Sequence, residues 1–407
     1  MKDIFLLLGG NKLNEGMIRK MRSKGCKTYV IDWNEKPYLT GDKHYQIDVK
    51  DSEKILKVLT EDNVIDRVEY AFSSIDFAVP SVAAIHRRLG YLTLNDEAMK
   101  YTSSKSMMTR RWKECGLLNR EVFSYENFDS SILELNKKFK LIFKPDNSAS
   151  SRGITVVEKN SSEEILKKAF DRAKKDASDS EVEIEEYVEG TEFTVEILGD
   201  AYESVCVFGM SRKSHTKNTN GNRIASKLHY NAVPIEIQNH IADIAIKCYK
   251  ALGFSASMGH LEVILKENGE ISPLEIGARS SGFIASDLID ICSGDDFVGS
   301  FINVLKGGRV PNGLHKQTDR TALYYFYDLP FGTRIKKLCT IMEFLPDNVI
   351  SHFSNRDGLV LGKVIPKLDN DNDRLGFEIL EGPKDILTIE TVKKAEEAMI
   401  KEMVEEI

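Results

Sequence analysis

Residues 259–279 read GHLEVILKENGEISPLEIGAR. Two apolar runs flank Asn268-Gly269, and Asn-Gly between such runs is a strong signal for a β-hairpin. Counted outward from that turn, Glu262 falls opposite Glu275. The expected result is two carboxylates as cross-strand neighbours on one face, their Cβ atoms roughly 4.5–5.5 Å apart. Like charges so placed repel. A divalent cation would remove that cost, and carboxylate oxygens suit magnesium. The residues by themselves leave an alternative open: two solvated glutamates on an exposed face, or a slipped register.

Basic residues lie on both sides of this hairpin. Arg279 follows Glu275 by four positions, where it can hold a transferring phosphoryl group through two parallel hydrogen bonds, or pair with one of the same glutamates. Lys144 closes the apolar run Leu141-Ile142-Phe143 just before Pro145, and DNSASSRG (146–153) follows. A lysine emerging there can hold phosphate as a point charge, with the N–H groups and hydroxyls of small residues wrapping the oxygens. A solvated surface hairpin is the plain alternative. Lys105, on the polar helix predicted over about 101–116, reads equally well as a solvated side chain. Glu185-Glu186-Tyr187-Val188 leaves a strand as an extended run whose backbone can read the edge of an adenine ring. The stretch 211–230, SRKSHTKNTNGNRIASKLHY, is polar and basic with little apolar periodicity. It is expected to be a long loop, and such loops in compact domains are usually functional or disordered.

The first hundred residues alternate strand and helix signals: strands at DIFLLLGG, TYVIDWN, HYQIDVKD and VEYAFSS, helices over about 14–24, 52–62 and 79–89. That alternation implies βαβ units and a mostly parallel sheet. Gly9-Gly10-Asn11-Lys12 is not GxGxxG, and no GxxxxGK[ST] occurs, which disfavours an oxidoreductase built on this sheet. Beyond Lys140 come a strand, the polar loop, a return strand ITVVEK, a charged helix over 162–176, and EFTVEILGD, which alternates as an exposed antiparallel strand does. A helix over 235–252 precedes the hairpin. After Gly307-Gly308 the chain is strand-rich and closes with a helix near 390–405.

Composition excludes several classes. With 407 residues, two or three domains are expected. The 56 basic and 63 acidic residues leave a net charge of −7, which argues against general nucleic-acid binding but allows a local basic pocket. The apolar run Ile4–Leu8 is too short for a signal peptide or a membrane span. The six cysteines are at least 42 positions apart, so neither a disulfide scaffold nor a zinc ribbon is expected, and buried free thiols in a reducing cytosol are. A cytoplasmic protein with no membrane and no nucleic-acid partner follows.

In this order, the lysine–strand–loop, the EE-hydrophobic-G-x-E segment and the paired-glutamate hairpin ending in arginine resemble the ATP-grasp superfamily. The type is that of the carboxylate–amine ligases, similar to amino-acid (dipeptide) ligases and more distantly to biotin carboxylase and carbamoyl-phosphate synthetase. The resemblance spans about residues 1–310 and continues weakly beyond. It implies an α/β and α+β chain in three parts: a parallel α/β pre-ATP-grasp domain (1–100), a bipartite ATP-grasp domain (101–310, with a nucleotide-binding small lobe at about 118–195) and a strand-rich C-terminal lobe (311–407). It also implies ATP, with Mg2+ or Mn2+, as cofactors. Lys105 and Lys144 would contact phosphate, with Lys144 near the adenine as well. Ser150, Ser151 and Gly153 belong to the loop (148–153) that closes over the phosphates. Glu185, Glu186 and Val188 would hold adenine, and Glu192 the ribose. Glu262 and Glu275 would bridge magnesium. Arg279, with Lys144, would be catalytic. Arg223, Arg279 and Ser281 would meet the substrate. One departure stands out: many relatives carry Glu-x-Asn at the second metal position, whereas here Gly277 replaces the Asn.

The implied reaction is ligation. A carboxylate attacks the γ-phosphate of ATP to give an acyl phosphate, and an amine displaces phosphate to give an amide, ADP and phosphate. The alternatives are a biotin-carboxylase-like or other acyl-phosphate enzyme, or a nucleotide-binding pseudoenzyme to which Gly277 would point. The implied partners are a small-molecule acid and amine and, as among relatives, a second copy of the chain in a homodimer.

Overall fold

The computed structural model describes residues 2–147, 153–177, 181–216, 224–281, 285–368 and 373–407. The N-terminal part is the expected parallel sheet. Strands β1 (Ile4–Leu8), β2 (Lys27–Asp32), β3 (Lys43–Gln46) and β4 (Val68–Ser73) lie in the order β3-β2-β1-β4, all parallel. All five residues of β1 are fully buried, as a strand covered on both faces requires. Helix α1 (Glu15–Ser23) connects β1 to β2, α2 (Ser52–Glu61) connects β3 to β4, and α3 (Val79–Arg88) follows β4. After β1 the chain builds outward to β2 and β3, then returns to the other side of β1 to add β4. The carboxyl ends of β1 and β4 are therefore a topological switch point.

A short helix α4 (Asp96–Met99) leads to α5 (Lys105–Glu114), which begins at Lys105 because the side chain of Ser104 caps it by accepting from the Met107 N–H. From α5 the fully buried Trp112 donates its indole N–H to the Cys248 carbonyl (3.1 Å) of α8 (Ile235–Ala251). A second sheet follows, antiparallel, in the order β5 (Val122–Tyr125), β8 (Val182–Glu186), β6 (Leu141–Pro145), β7 (Thr155–Val157). Helices α6 (Ser131–Lys138) and α7 (Glu163–Asp176) cover it over a core of Ile132, Leu141, Phe143, Leu166, Phe170 and Ile184.

The third sheet positions the chemistry. It runs β13 (Ile271–Gly277), β12 (Ser257–Leu265), β9 (Thr191–Gly199), β10 (Val205–His215), β11 (Ala225–Tyr230), then β15 (Arg320–Phe326), β18 (Phe377–Pro383) and β17 (Ile350–Asn355), with β14 (Gly313–Leu314) beside β10. The short β16 (Arg334–Ile335) and β19 (Val404–Glu405) pair apart from it. The C-terminal strands thus extend the same sheet. Helices α9 (Ala285–Ser293) and α10 (Phe297–Leu305), which the sequence reading did not anticipate, lie between hairpin and extension, and α11 (Ile389–Met403) closes the chain.

Two expectations need correction. Residues 211–216 and 224–230 belong to strands and their ends, not to a long loop. Strand β9 is central and buried, not exposed: Glu192 is 9% exposed and Glu196 0%. Its alternation is real. Phe193, Val195 and Ile197 pack with Leu261, Val263 and residues of α8, while Glu192, Thr194 and Glu196 face other polar groups. The cysteine expectation also needs adjusting: all six thiols are free and four are buried, but Cys26 is half-buried and Cys115 exposed. Among the described residues no helix is long and apolar enough to cross a membrane.

Trp112 ties α5, and hence Lys105, to α8. Replacing it with alanine is expected to cost about 3–5 kcal/mol of stability, read as a lowered unfolding midpoint in urea.

Candidate active site

The hairpin forms with the expected register. Glu262 pairs with Glu275, and a bulge follows between Glu262 and Val263. Across β9 the Glu262 partner is Thr194, and across β10 the Thr194 partner is Ser211. One row over four strands therefore reads Ser211, Thr194, Glu262, Glu275, and the next carries Glu196, His260 and Gly277.

The charge on this face is neutralised from within the chain. Lys105 Nζ lies 2.8 Å from Glu275 Oε2. Lys213 Nζ lies 2.9 Å from Glu262 and 2.6 Å from Glu192, which also meets His215 at 3.1 Å. His260 Nδ1 is 2.6 Å from Glu196. Burial alone would raise the Glu275 pKa, but Lys105 beside it brings it down to about 2. Burial would likewise discharge Lys105 and Lys213, and the facing carboxylates hold both ammonium groups well above their ordinary range instead. Glu192 is held low against its burial by Lys213 and His215.

A second cluster sits under the small sheet. Glu185, 1% exposed, accepts from Lys144 Nζ (2.8 Å) and from Arg120 Nε (2.8 Å). Arg120 also donates to the Pro273 carbonyl on β13. Its neighbour Glu183, opposite Lys144 in the ladder, accepts from Thr109 Oγ1 at 2.9 Å. Burial and the charge of Glu185 push Glu183 up, so it is the neutral member of the pair, while Arg120 and Lys144 overcome burial to keep Glu185 ionised.

These placements bring three of the predicted residues, Lys105, Glu275 and Arg279, to one cavity. Lys105, Glu275, Gly277 and Arg279 line it with Asp76, Asp146 and His260. Asp146 accepts from the Ser106 N–H at 2.7 Å and from Ser104 Oγ at 3.0 Å, fixing the start of α5. Gly153 closes the polar loop in a left-handed conformation (φ +73°), and a Cβ there would come within 2.9 Å of Pro145. Ser281 is buried beside Arg279, and Val188 is buried after β8. Glu186 instead turns to the rim, accepting from the Glu121 N–H at 3.3 Å. Ser150, Ser151 and Arg223 lie outside the described residues.

Arg279 does not pair with the glutamates, as one alternative had it. Its Nη2 donates to Asp76 Oδ2 at 2.6 Å, 203 positions away at the carboxyl end of β4. The same carboxylate lies close to Gly277: a Cβ at 277 would come within 2.7 Å of Asp76 Oδ1, so a larger residue there requires the Asp76 side chain to shift. Asp76, Arg120, Glu183 and Glu196 were not singled out from the sequence. Nothing around them forms a motif, and only tertiary pairing marks them. Glu262 and Glu275 offer hard oxygen donors of the kind magnesium takes, and Glu275 is ionised throughout the physiological range, so the pair fits such an ion. Among the described residues no group of three acidic, His or Cys side chains converges as a ready cage.

Residues 116–286 match the family described as D-ala D-ala ligase C-terminus. A search of curated proteins gave no match. Among solved structures, an L-amino acid ligase from Bacillus licheniformis superposes with a TM-score of 0.71 at 16% identity, covering 100% of this chain and 99% of that one. An N5-carboxyaminoimidazole ribonucleotide synthetase from Thermotoga maritima gives 0.66 at 16%, covering 100% of both. The biotin carboxylase domain of a Hydrogenobacter thermophilus 2-oxoglutarate carboxylase, in complex with MgADP, ADP and bicarbonate, gives 0.68 at 16%, covering 93% of this chain and 86% of that one.

The Glu275 pKa lies below its ordinary value of 4.5, so its contribution to stability is complete above that value and is lost as pH falls towards about 2. A Lys105→Met variant should return the Glu275 pKa towards, or with burial above, its ordinary range. Carboxyl-carbon NMR titration measures this directly, and an unchanged midpoint would refute the pairing.

Proposed function

This chain has the ATP-grasp fold and, over residues 116–286, the sequence character of the ligases that use it, and we propose that it is an ATP-dependent carboxylate–amine ligase. In this reading it activates a carboxylate as an acyl phosphate and joins it to an amine, releasing ADP and phosphate. The observation that carries the reading is the facing of Lys105, Arg279, Glu262 and Glu275 across one face, with Lys144 held beside Glu185 on the two central strands of the small sheet. Phosphoryl transfer to a carboxylate needs positioned charge more than acid–base chemistry, and that is what these residues supply.

Each residue then has a task. Lys105 and Lys144 hold phosphate oxygens, and Glu185 keeps Lys144 oriented and charged. Glu192 binds the ribose once Lys213 turns towards the nucleotide. The backbone of Glu186 and Val188 reads the adenine, and Ser150, Ser151 and Gly153 close over the phosphates, excluding water from the acyl phosphate. Glu262 and Glu275 would hold magnesium, which supplies charge neutralisation along the triphosphate. Arg279 stabilises the transferring phosphoryl group and meets the substrate carboxylate with Ser281. Arg223 binds the acid from the segment between β10 and β11. The proposed assembly is a homodimer in the cytoplasm.

Release of ADP and phosphate during a screen of amino acids and small acids tests the reaction. Glu275→Gln should lower that release by roughly a hundredfold or more, comparable with losing a principal transition-state contact; an unaffected rate would overturn the metal assignment. Arg223→Ala should raise the KM of the acid and leave that of ATP in place, and equal values for the acid would remove Arg223 from the site.

A further inference from the structure

The charged cavity does not end at Arg279. Behind the guanidinium lies a second, smaller cleft, with room for only a few non-hydrogen atoms, and Arg279 lines both. This cleft sits at the carboxyl end of β4, at the switch point of the parallel sheet, where open α/β sheets bind ligands. Its walls are mostly apolar, with Phe72, Val79, Leu94, Met258 and Phe301 the larger side chains, and Ser73, Thr93, Ser257 and Ser280 add hydroxyls. Besides Arg279 its only titratable side chain is His86. Burial lowers the His86 pKa to about 4, and the ring is held at the Ala71 backbone, 3.1 Å from its carbonyl, so it is neutral at physiological pH. Those hydroxyls carry no charge, so a charged group entering the cleft would lose its water with no counter-charge beyond Arg279 to replace it.

The arginine at the mouth is incompletely satisfied. Nη2 donates to Asp76 and Nη1 to the Ser280 carbonyl at 3.0 Å, whereas the buried Nε–H has no partner among the described residues. A buried donor without an acceptor is costly, and a carboxylate oxygen on the guanidinium edge would meet it. A carboxylate held there would have its substituent directed either back into the charged cavity or into the apolar cleft. Only the second direction is compatible with an apolar group.

We propose that this cleft is the side-chain subsite for the activated acid, so that the substrate is a carboxylic acid, an amino acid among them, with a compact apolar side chain. The proposal rests on the ligase reading and narrows it. Arg279 takes the carboxylate, and the walls supplied by the N-terminal sheet, α3, β12 and α10 select the side chain by size and lack of charge. Discrimination by such a pocket amounts to roughly 10–200-fold per methylene that fits or fails to fit.

Two measurements separate this proposal from the reading beneath it. The first is kcat/KM, by ADP release, for alanine, valine, leucine and methionine against aspartate, glutamate and lysine. The second is calorimetric binding of the same acids to the protein saturated with a non-hydrolysable ATP analogue, which needs no turnover. The wild-type chain should favour an apolar acid by roughly tenfold or more in both. Ala83→Leu, which fills the cleft, should raise the KM and Kd of the preferred acid at least about tenfold with the analogue's affinity unchanged. Val82→Ala, a milder change that enlarges the cleft, should move the optimum to a longer side chain. Apolar-acid binding that responds to the variants without any ADP release would overturn the ligase reading and leave the cleft standing. Preference for a charged acid, or an acid profile indifferent to both variants, would overturn the cleft and leave the ligase reading standing. Absence of both turnover and acid binding would overturn both.

Discussion

Two carboxylates opposed across a hairpin cannot remain ionised in a partly buried setting unless cations stand beside them. Glu262 and Glu275 are placed in that way by the strand ladder itself, and much of the surrounding structure answers the resulting charge. Lys105 comes from the first turn of α5, Lys213 from β10, Arg279 from the turn after β13. Two of these cations are in turn held by elements far away in sequence: α5 is seated by Trp112 on α8, and Arg279 is held by Asp76 just beyond β4. The hairpin's repulsion is thereby converted into cross-links among three separately built pieces of chain.

The same logic recurs under the small sheet on a drier scale. Glu183 and Glu185 lie side by side and almost fully buried. Arg120 and Lys144 support one negative charge there, and the second carboxyl stays neutral. The outcome is a lysine fixed at one end by a carboxylate that cannot move, and an arginine that joins the small sheet to β13 through the Pro273 carbonyl. Pre-organised charge of this kind needs little rearrangement when a polyanion arrives.

Legibility followed the range of the interactions. The parallel sheet, the principal helices and the hairpin register were readable because local periodicity and an Asn-Gly turn encode them. The lysines, the two glutamates and Arg279 were readable because they sit in short ordered segments. Residues 211–216 and 224–230 were misread because the inward face of β10 carries Lys213 and His215, whose partners lie on β9 and β12; without those partners a buried polar face looks like a solvated loop. Strand β9 was misjudged for the same reason, its glutamates being buried against cations that one strand cannot reveal. Asp76 illustrates the limit: no pattern around SIDFA announces a carboxylate that holds an arginine 203 positions later and crowds position 277.

The continuity of the large sheet also bears on how the chain is made. Every strand that carries the charged row has been synthesised once Gly277 is in place, yet β11 still presents an open edge, because its outer neighbour β15 begins at Arg320. A strand edge with unpaired N–H and C=O groups invites pairing with other chains. During translation, the interval between residues 277 and 326 therefore leaves the β11 edge without its partner strand. Strands β15, β18 and β17 end that interval by giving β11 a partner of its own.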